Sequence, residues 1–345
     1  MSENLSEQKC PACGAPLRFD PESGRSVCDW CGSSFEIDDA GEIGSGGHGD
    51  AAPLEIPLYN CASCGAEIIA DAVSASVQCP YCGNNVVLTE KVSGGLKPDG
   101  IIPFRFDKKQ LPAEIKKFYK DKKLLPRHFF SESSLTEVTG VYVPFWLYSG
   151  EYSGDVKYEG YKDSSTRSGD YVINRRKHFD VVRGVSMRFT DIPADASARL
   201  DDDLMDSVEP YHFSGLKPFN MSYLSGFCAE RFDKDSQAVR SRAFDRMNSS
   251  ALSVADSNVG GGYSGTTRKS SELKPRGIKT KYVLLPVYTF CVNHDGHNYR
   301  FAMNGQTGKV VGDLPTDKGR TRLMRLLWFA GVFAAIMLLL SFVSC

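Results

Sequence analysis

CPACGAPLRFDPESGRSVCDWCG, from Cys10 to Gly32, is matched in cysteine spacing by CASCGAEIIADAVSASVQCPYCG, from Cys61 to Gly83. Each stretch carries two Cys-x2-Cys pairs separated by fourteen residues, and the second starts 51 residues after the first. Glycine follows the second cysteine of every pair, at Gly14, Gly32, Gly65 and Gly83. A chain wrapped tightly round a metal ion pushes that position to positive φ, which glycine tolerates without strain. Four thiolates at about 2.3 Å close a tetrahedral shell and leave no position open for substrate. The spacing therefore predicts two structural zinc ribbons, one zinc ion on Cys10, Cys13, Cys28 and Cys31 and a second on Cys61, Cys64, Cys79 and Cys82. Four thiolates also suit an iron–sulfur cluster. Disulfides fit poorly, because the N-terminus MSENLSEQKC has no apolar signal region and a reducing cytoplasm disfavours them.

Neither loop is large enough to bury a core, so metal binding is expected to supply most of its folding free energy. Leu17, Phe19, Val27 and Phe35, and in the second ribbon Ile68, Ile69, Val77 and Val86, suit short hairpin strands. Between the ribbons DDAGEIGSGGHGDAAP, starting at Asp38, reads as a flexible linker that leaves them independent. His48 within it is expected to be solvated.

The formal charge of −1 is unevenly spread. Residues 1–92 hold four basic side chains (Lys9, Arg18, Arg25, Lys91) against fourteen acidic ones, near −10, which leaves about +9 for residues 93–345. Affinity for phosphate comes from clustered Lys and Arg, so the acidic ribbons argue for protein partners over nucleic acid. Trp30 and Tyr81, set between paired cysteines, either shield the metal loop or anchor a partner.

At the other end LLWFAGVFAAIMLLLSFV (Leu326–Val343) has no charge and one polar residue, Ser341. Extended to Cys345 it makes 20 residues, about 30 Å of helix, which matches a hydrocarbon core. Lys318, Arg320, Arg322 and Arg325 precede it, placing that side in the cytoplasm. The expected topology is a tail anchor in the cell membrane, single-pass, with the N-terminal domains cytoplasmic and Trp328 at the interface.

Residues 93–315 read as an α+β domain with a mainly antiparallel sheet. Asp107–Lys123 predicts a basic helix, starting near Asp107 or Pro112, with Ile115, Phe118 and Tyr119 inward. Gly140–Tyr161 is aromatic and β-branched, as strands prefer. Tyr171–Thr190 predicts a strand pair, and Asp235–Ser253 a helix. Lys281–Asn293, Asn298–Met303 and Lys309–Asp313 predict three strands joined at Asp295-Gly296 and Asn304-Gly305, both hairpin turn signals. Ser257–Lys281, rich in glycine and serine and then basic, predicts a mobile excursion. The organisation is thus ribbon 1 (1–37), linker (38–56), ribbon 2 (57–92), middle domain (93–315), basic juxtamembrane segment (316–325) and transmembrane helix (326–345).

The middle domain offers little chemistry. Gly305-Gln306-Thr307-Gly308-Lys309 lacks the spacing of a phosphate loop and lies in a hairpin. Asp201-Asp202-Asp203 fits a helix N-terminus as well as a cation, His294 and His297 flank a turn, and Cys228 and Cys291 are expected to be small buried hydrophobes. No catalytic residue is assigned, and no enzyme activity is expected.

GVYVPFWLYSG (Gly140–Gly150), KPFNMSYLSGFCAE (Lys217–Glu230), NGQTGKVVGDLP (Asn304–Pro315), the ribbons and the terminal helix together resemble a bacterial family of tandem zinc-ribbon, tail-anchored membrane proteins. The family is often labelled primosomal helicase-like. One departure is Ala62, where ribbons often carry proline. The resemblance implies a gene neighbourhood shared with SPFH-domain, TPM-domain and phage-shock protein A relatives, and a role in a membrane-stress or envelope-maintenance complex. The reading is a non-enzymatic, membrane-tethered adaptor recruiting cytoplasmic proteins through its ribbons, with lipid contact at its foot. The alternative is a membrane-associated nucleic-acid-binding regulator or replication accessory factor.

Overall fold

A computed structural model of the chain describes residues 10–15, 17–39, 43, 96–126, 129–130, 138–295 and 297–343, with the backbone strands between 58 and 87. Within the last helix the side chains of 318, 323, 334–335 and 338–343 fall outside that description.

The chain opens with a three-stranded antiparallel sheet, β1 (Arg18–Asp20), β2 (Arg25–Val27) and β3 (Ser34–Phe35). β4 (Leu58–Asn60) pairs with β5 (Glu67–Ile69), and β6 (Ser76–Gln78) with β7 (Asn85–Val87), each as a hairpin. After β8 (Gly100–Ile101) comes α1 (Leu111–Tyr119), shorter than the Asp107–Lys123 expected, with proline in its first turn. Leu111 and Ile115 are buried, and Phe118 and Tyr119 are partly buried against them.

A hairpin of unusual length dominates the rest: β9 (Thr139–Ser168) and β10 (Tyr171–Asp195), in register from Tyr171↔Ser168 to Asp195↔Phe145. Tyr171–Thr190 is thus one strand folded back on β9, not a strand pair of its own. The register shifts once, between Phe189 and Ile192, where Asp191 takes φ 53° and donates its backbone N–H to Ser149 Oγ at 2.9 Å.

After β10 come α2 (Asp202–Val208), β11 (Lys217–Pro218), β12 (Cys228–Glu230) and α3 (Ser236–Val259). The final strands are β13 (Gly265–Ser271), β14 (Lys274–His294), β15 (His297–Asn304) and β16 (Val310–Gly312), before α4 (Lys318–Val343). β14 lies antiparallel to the first half of β9 and β13 to the second, in a mixed, mainly antiparallel sheet of eleven strands. The mobile excursion expected over Ser257–Lys281 is therefore corrected to the end of α3, all of β13 and the start of β14. Its composition misleads because these strands are largely exposed and carry no inward apolar alternation.

Alternation decides the core. Val141, Val143, Phe145 and Leu147 of β9 face Val283, Leu285 and Val287 of β14 under α2, whereas Tyr142, Trp146 and Tyr148 face Tyr282, Leu284 and Tyr288 on the side of α1 and α3. Both faces of the central strands are covered, which is why GVYVPFWLY is apolar without a break. α3 begins at Asp235, whose carboxylate accepts from the N–H groups of Gln237 and Ala238, and sets Val239, Ala243, Met247, Ala251, Ala255 and Val259 against β9 and β10. Beyond its reach, the ends of β9 and β10 project with both faces exposed.

Cys228 is buried as expected, but Cys291 is exposed: Phe290 and Val292 point inward, so the residue between them points out. Asp201 caps α2 by accepting from the Leu204 N–H, and Asp202 pairs with Lys234 at 3.0 Å. The Asn304–Lys309 turn is structural too, since Gln306 both accepts from and donates to the His212 backbone, at 2.7 and 2.9 Å. Among the described residues no helix is long and apolar enough to cross a membrane.

Candidate metal centre

Two tight turns of the same design face each other across the first ribbon. In one, the Cys10 N–H donates to Ala15 O and the Gly14 N–H to Cys10 O, at 2.7 and 2.8 Å. In the other, Cys28 donates to Ser33 O and Gly32 to Cys28 O, both at 2.9 Å. Gly14 and Gly32 sit at φ 77° and 72°, the positive values expected from the sequence. A Cβ in that region clashes with its own backbone, so these turns select glycine. The second pair of turns, with Gly65 and Gly83, lies outside the described residues.

The turns bring four thiols together. Cys10 Sγ lies 3.6 Å from Cys31 Sγ, and Cys13 Sγ lies 3.5 Å from Cys28 Sγ. All four sulfurs fall within 4.8 Å of one another. A tetrahedron with metal–sulfur bonds of about 2.3 Å has sulfur–sulfur edges of roughly 3.8 Å, so the cage has the size of a four-thiolate metal site. The donor set fits as well, since thiolates select zinc and iron over hard cations. Cys10 and Cys28 are buried and Cys13 and Cys31 exposed. Ser33, whose Oγ accepts from Cys31 Sγ at 3.3 Å, pulls the Cys31 thiol down to about 6, side chain first and backbone second. Against a backbone hydrogen bond at Ala15, burial and the neighbouring thiols push Cys13 up to about 12. These four cysteines could hold one metal ion. Cys61, Cys64, Cys79 and Cys82 lie outside the described residues, but in sequence each pair falls in the connection of a two-stranded hairpin, β4–β5 and β6–β7.

Trp30 stands between the two cysteines of the second turn with 85% of its surface exposed. It does not shield the cage, so of its two expected roles the outward-facing anchor is the one its position permits. Tyr81 lies outside the described residues.

The sequence reading missed how firmly this ribbon is seated. Phe19, on β1, is buried between Tyr223 and Phe227 of the sheet domain, and its N–H donates to Ser225 O at 3.0 Å. Asp39 accepts from Tyr223 OH at 2.6 Å and from Lys217 Nζ at 2.8 Å, and the Asn220 amide donates to Asp38 O at 2.9 Å. Asp38 and Asp39, which the sequence predicts to start a free linker, are the clamp. β5 joins the main sheet by pairing with β12, Ala229↔Ile69 and Glu230↔Ile68. The first loop and β5 of the second are thus fixed to β12, which lies between β9 and β5 in the main sheet, and to its approach. KPFNMSYLSGFCAE is the one signal that could have revealed this, being too aromatic for an exposed connection.

A second polar assembly lies behind the sheet. Arg242 of α3 reaches Asp195 at 2.5 Å, Asp206 at 2.7 Å and Asp202 at 3.1 Å, and Arg246 binds both oxygens of Glu209 at 2.9 and 2.6 Å. Asp195 is fully buried, and burial pushes its carboxyl up to about 6 against the pull of Arg242. The groups are paired with one another, a fastening of α2 and α3 to β10.

Comparison with known proteins gives an end-to-end likeness. The uncharacterized protein YdjG of Bacillus subtilis (strain 168) is 32% identical over 338 residues, 97% of this chain and 96% of the relative. No family model matches the chain, and no solved structure matches it.

Proposed function

The chain belongs to the family of YdjG, and we propose that it is a membrane-tethered adaptor that recruits proteins through its cysteine-bound metal loops. The observation that carries this reading is the four-thiol cage of Cys10, Cys13, Cys28 and Cys31 with Trp30 exposed beside it. A tetrahedral thiolate shell has no vacant position, so the metal organises a surface instead of activating a substrate. The ion is zinc, with a second on Cys61, Cys64, Cys79 and Cys82 by the repeated spacing. An exposed tryptophan on a rigid, acidic loop is the kind of residue that dominates a protein interface.

The tether is α4. Its 26 residues carry no charge after Arg325, and Leu326, Leu327, Trp328, Phe329 and Phe333 are each more than 60% exposed. A run of that size without a partner in the body marks an interaction surface, and the length read from sequence suits a bilayer. By the positive-inside rule, Arg320, Arg322 and Arg325 favour a cytoplasmic side for the sheet domain and ribbons. SPFH-domain, TPM-domain and phage-shock protein A-like proteins are the partners to try first, in a membrane-stress or envelope-maintenance complex.

A second reading, a nucleic-acid-binding regulator, draws on the projecting ends of β9 and β10, where Arg167, Arg175, Arg176 and Lys177 are exposed. Fluorescence anisotropy of the full detergent-solubilised chain with labelled DNA and RNA at low salt separates the two. The adaptor reading expects no binding at micromolar protein; tight binding that weakens steeply with salt favours the second.

A further inference from the structure

The segment after α1 and the foot of α4, at opposite ends of the sheet domain in sequence, meet at one corner of the body. The Asp317 N–H donates to Leu124 O at 2.8 Å, and Arg320 Nη1 donates to Leu125 O at 3.0 Å. Asp317 also caps α4, its carboxylate accepting from the Gly319 and Arg320 N–H groups. Between the two segments lies a pocket of about 280 Å³, walled by Leu124, Leu125, Leu314 and Pro315, with Lys122, Lys123 and Thr316 completing it. That is near the roughly 300 Å³ at which small-molecule pockets begin, and its lining is almost wholly apolar.

The corner is also basic. Lys116, Lys120, Lys123, Arg322 and Arg325 are exposed and have no ion-pair partner among the described residues. Of the acids on the same segments, Glu114 is paired with Lys117 and Asp317 with Arg320, which leaves Asp121 and Asp313. A mainly apolar pocket that Lys122 and Lys123 help to line, beside a foot of α4 that carries Arg322 and Arg325, matches one chemistry: a negative headgroup joined to a hydrocarbon chain.

We propose that this corner binds an anionic phospholipid, its phosphate held by Lys122, Lys123 and Arg322 and its first chain carbons seated against Leu125 and Leu314. The site rests on the membrane reading of α4. It orients the body: α1 is held down on the bilayer surface, so the ribbons are presented in a fixed direction. The cations act together, because charges near a lipid surface add.

The test uses the full chain reconstituted in phosphatidylcholine vesicles with and without phosphatidylglycerol, then extracted in mild detergent. Lipids retained by the protein are measured by mass spectrometry, and thermal unfolding is followed with phosphatidylglycerol, phosphatidylcholine or inorganic phosphate added. Phosphatidylglycerol is expected to be enriched over its bulk share and to raise the unfolding temperature, with the other two without effect. A triple variant with Lys122→Gln, Lys123→Gln and Arg322→Gln loses about tenfold or more of the preference, as removal of two or three near-surface charges implies. Leu314→Trp, which fills the cavity and keeps every charge, also lowers retention. Equal retention of both lipids, an equal shift from inorganic phosphate, or full retention by the Leu314→Trp variant overturns the site. A chain that never enters the vesicles overturns the membrane reading and the site with it. Entry without lipid preference overturns the site alone.

Discussion

Phe19 of the first metal loop meets Tyr223 of the sheet domain edge to face, with ring centroids 5.2 Å apart. This pair makes the ribbon part of the body. Phe19→Ala is expected to cost about 3–5 kcal/mol, as for other buried aromatic truncations, while the zinc content stays at the wild-type value. Denaturant unfolding together with elemental analysis checks both halves.

Metal content gives the next expectation: two zinc ions per wild-type chain, and one after Cys13→Ser. Because Phe19 and Asp39 seat the loop, losing its metal should also loosen the segment around Tyr223 and Ser225. Hydrogen exchange on the full-length variant reads that coupling. Iron in the protein, or unchanged protection at Ser225, would count against the account.

Arg242 holds three carboxylates, and Arg242→Ala is expected to destabilise the fold by about 3–5 kcal/mol by leaving a buried charge uncompensated. Asp195→Asn should be far milder. The carboxyl of Asp195 is raised to about 6 in the folded chain, above its ordinary 3.8. Its contribution to stability is fully present below about pH 4 and is lost as pH rises through 6. The Asp195→Asn variant therefore lacks that decline. Unfolding midpoints of both proteins between pH 4 and 7 test the difference in slope.

Much of this was legible in sequence, for identifiable reasons. The first quartet and its glycines announced the cage because metal geometry is local, and the helix read from Asp235 starts there, capped by its carboxylate. The β9–β10 hairpin was only half visible, since its outer half is exposed on both faces and shows no alternation. The seat of Phe19 against Tyr223 was not visible at all. It depends on residues about two hundred positions apart, and Asp38-Asp39 looks like any acidic linker until Lys217 and Tyr223 stand beside it.

Cutting the chain after Arg325 is expected to release a folded protein from the membrane fraction, because the exposed apolar residues beyond it pack against nothing in the described body. Fractionation and unfolding of the truncated chain report on this together. An aggregated, unfolded product would make α4 part of the core.

The adaptor claim itself is tested most directly at Trp30. Full-length wild type and Trp30→Ala, matched in zinc content, are cross-linked in intact membranes, and the attached proteins are quantified by mass spectrometry. The account predicts a defined set of cytoplasmic proteins on the wild type that falls several-fold on the variant. An identical set on both, or nucleic acid in place of protein, would contradict it.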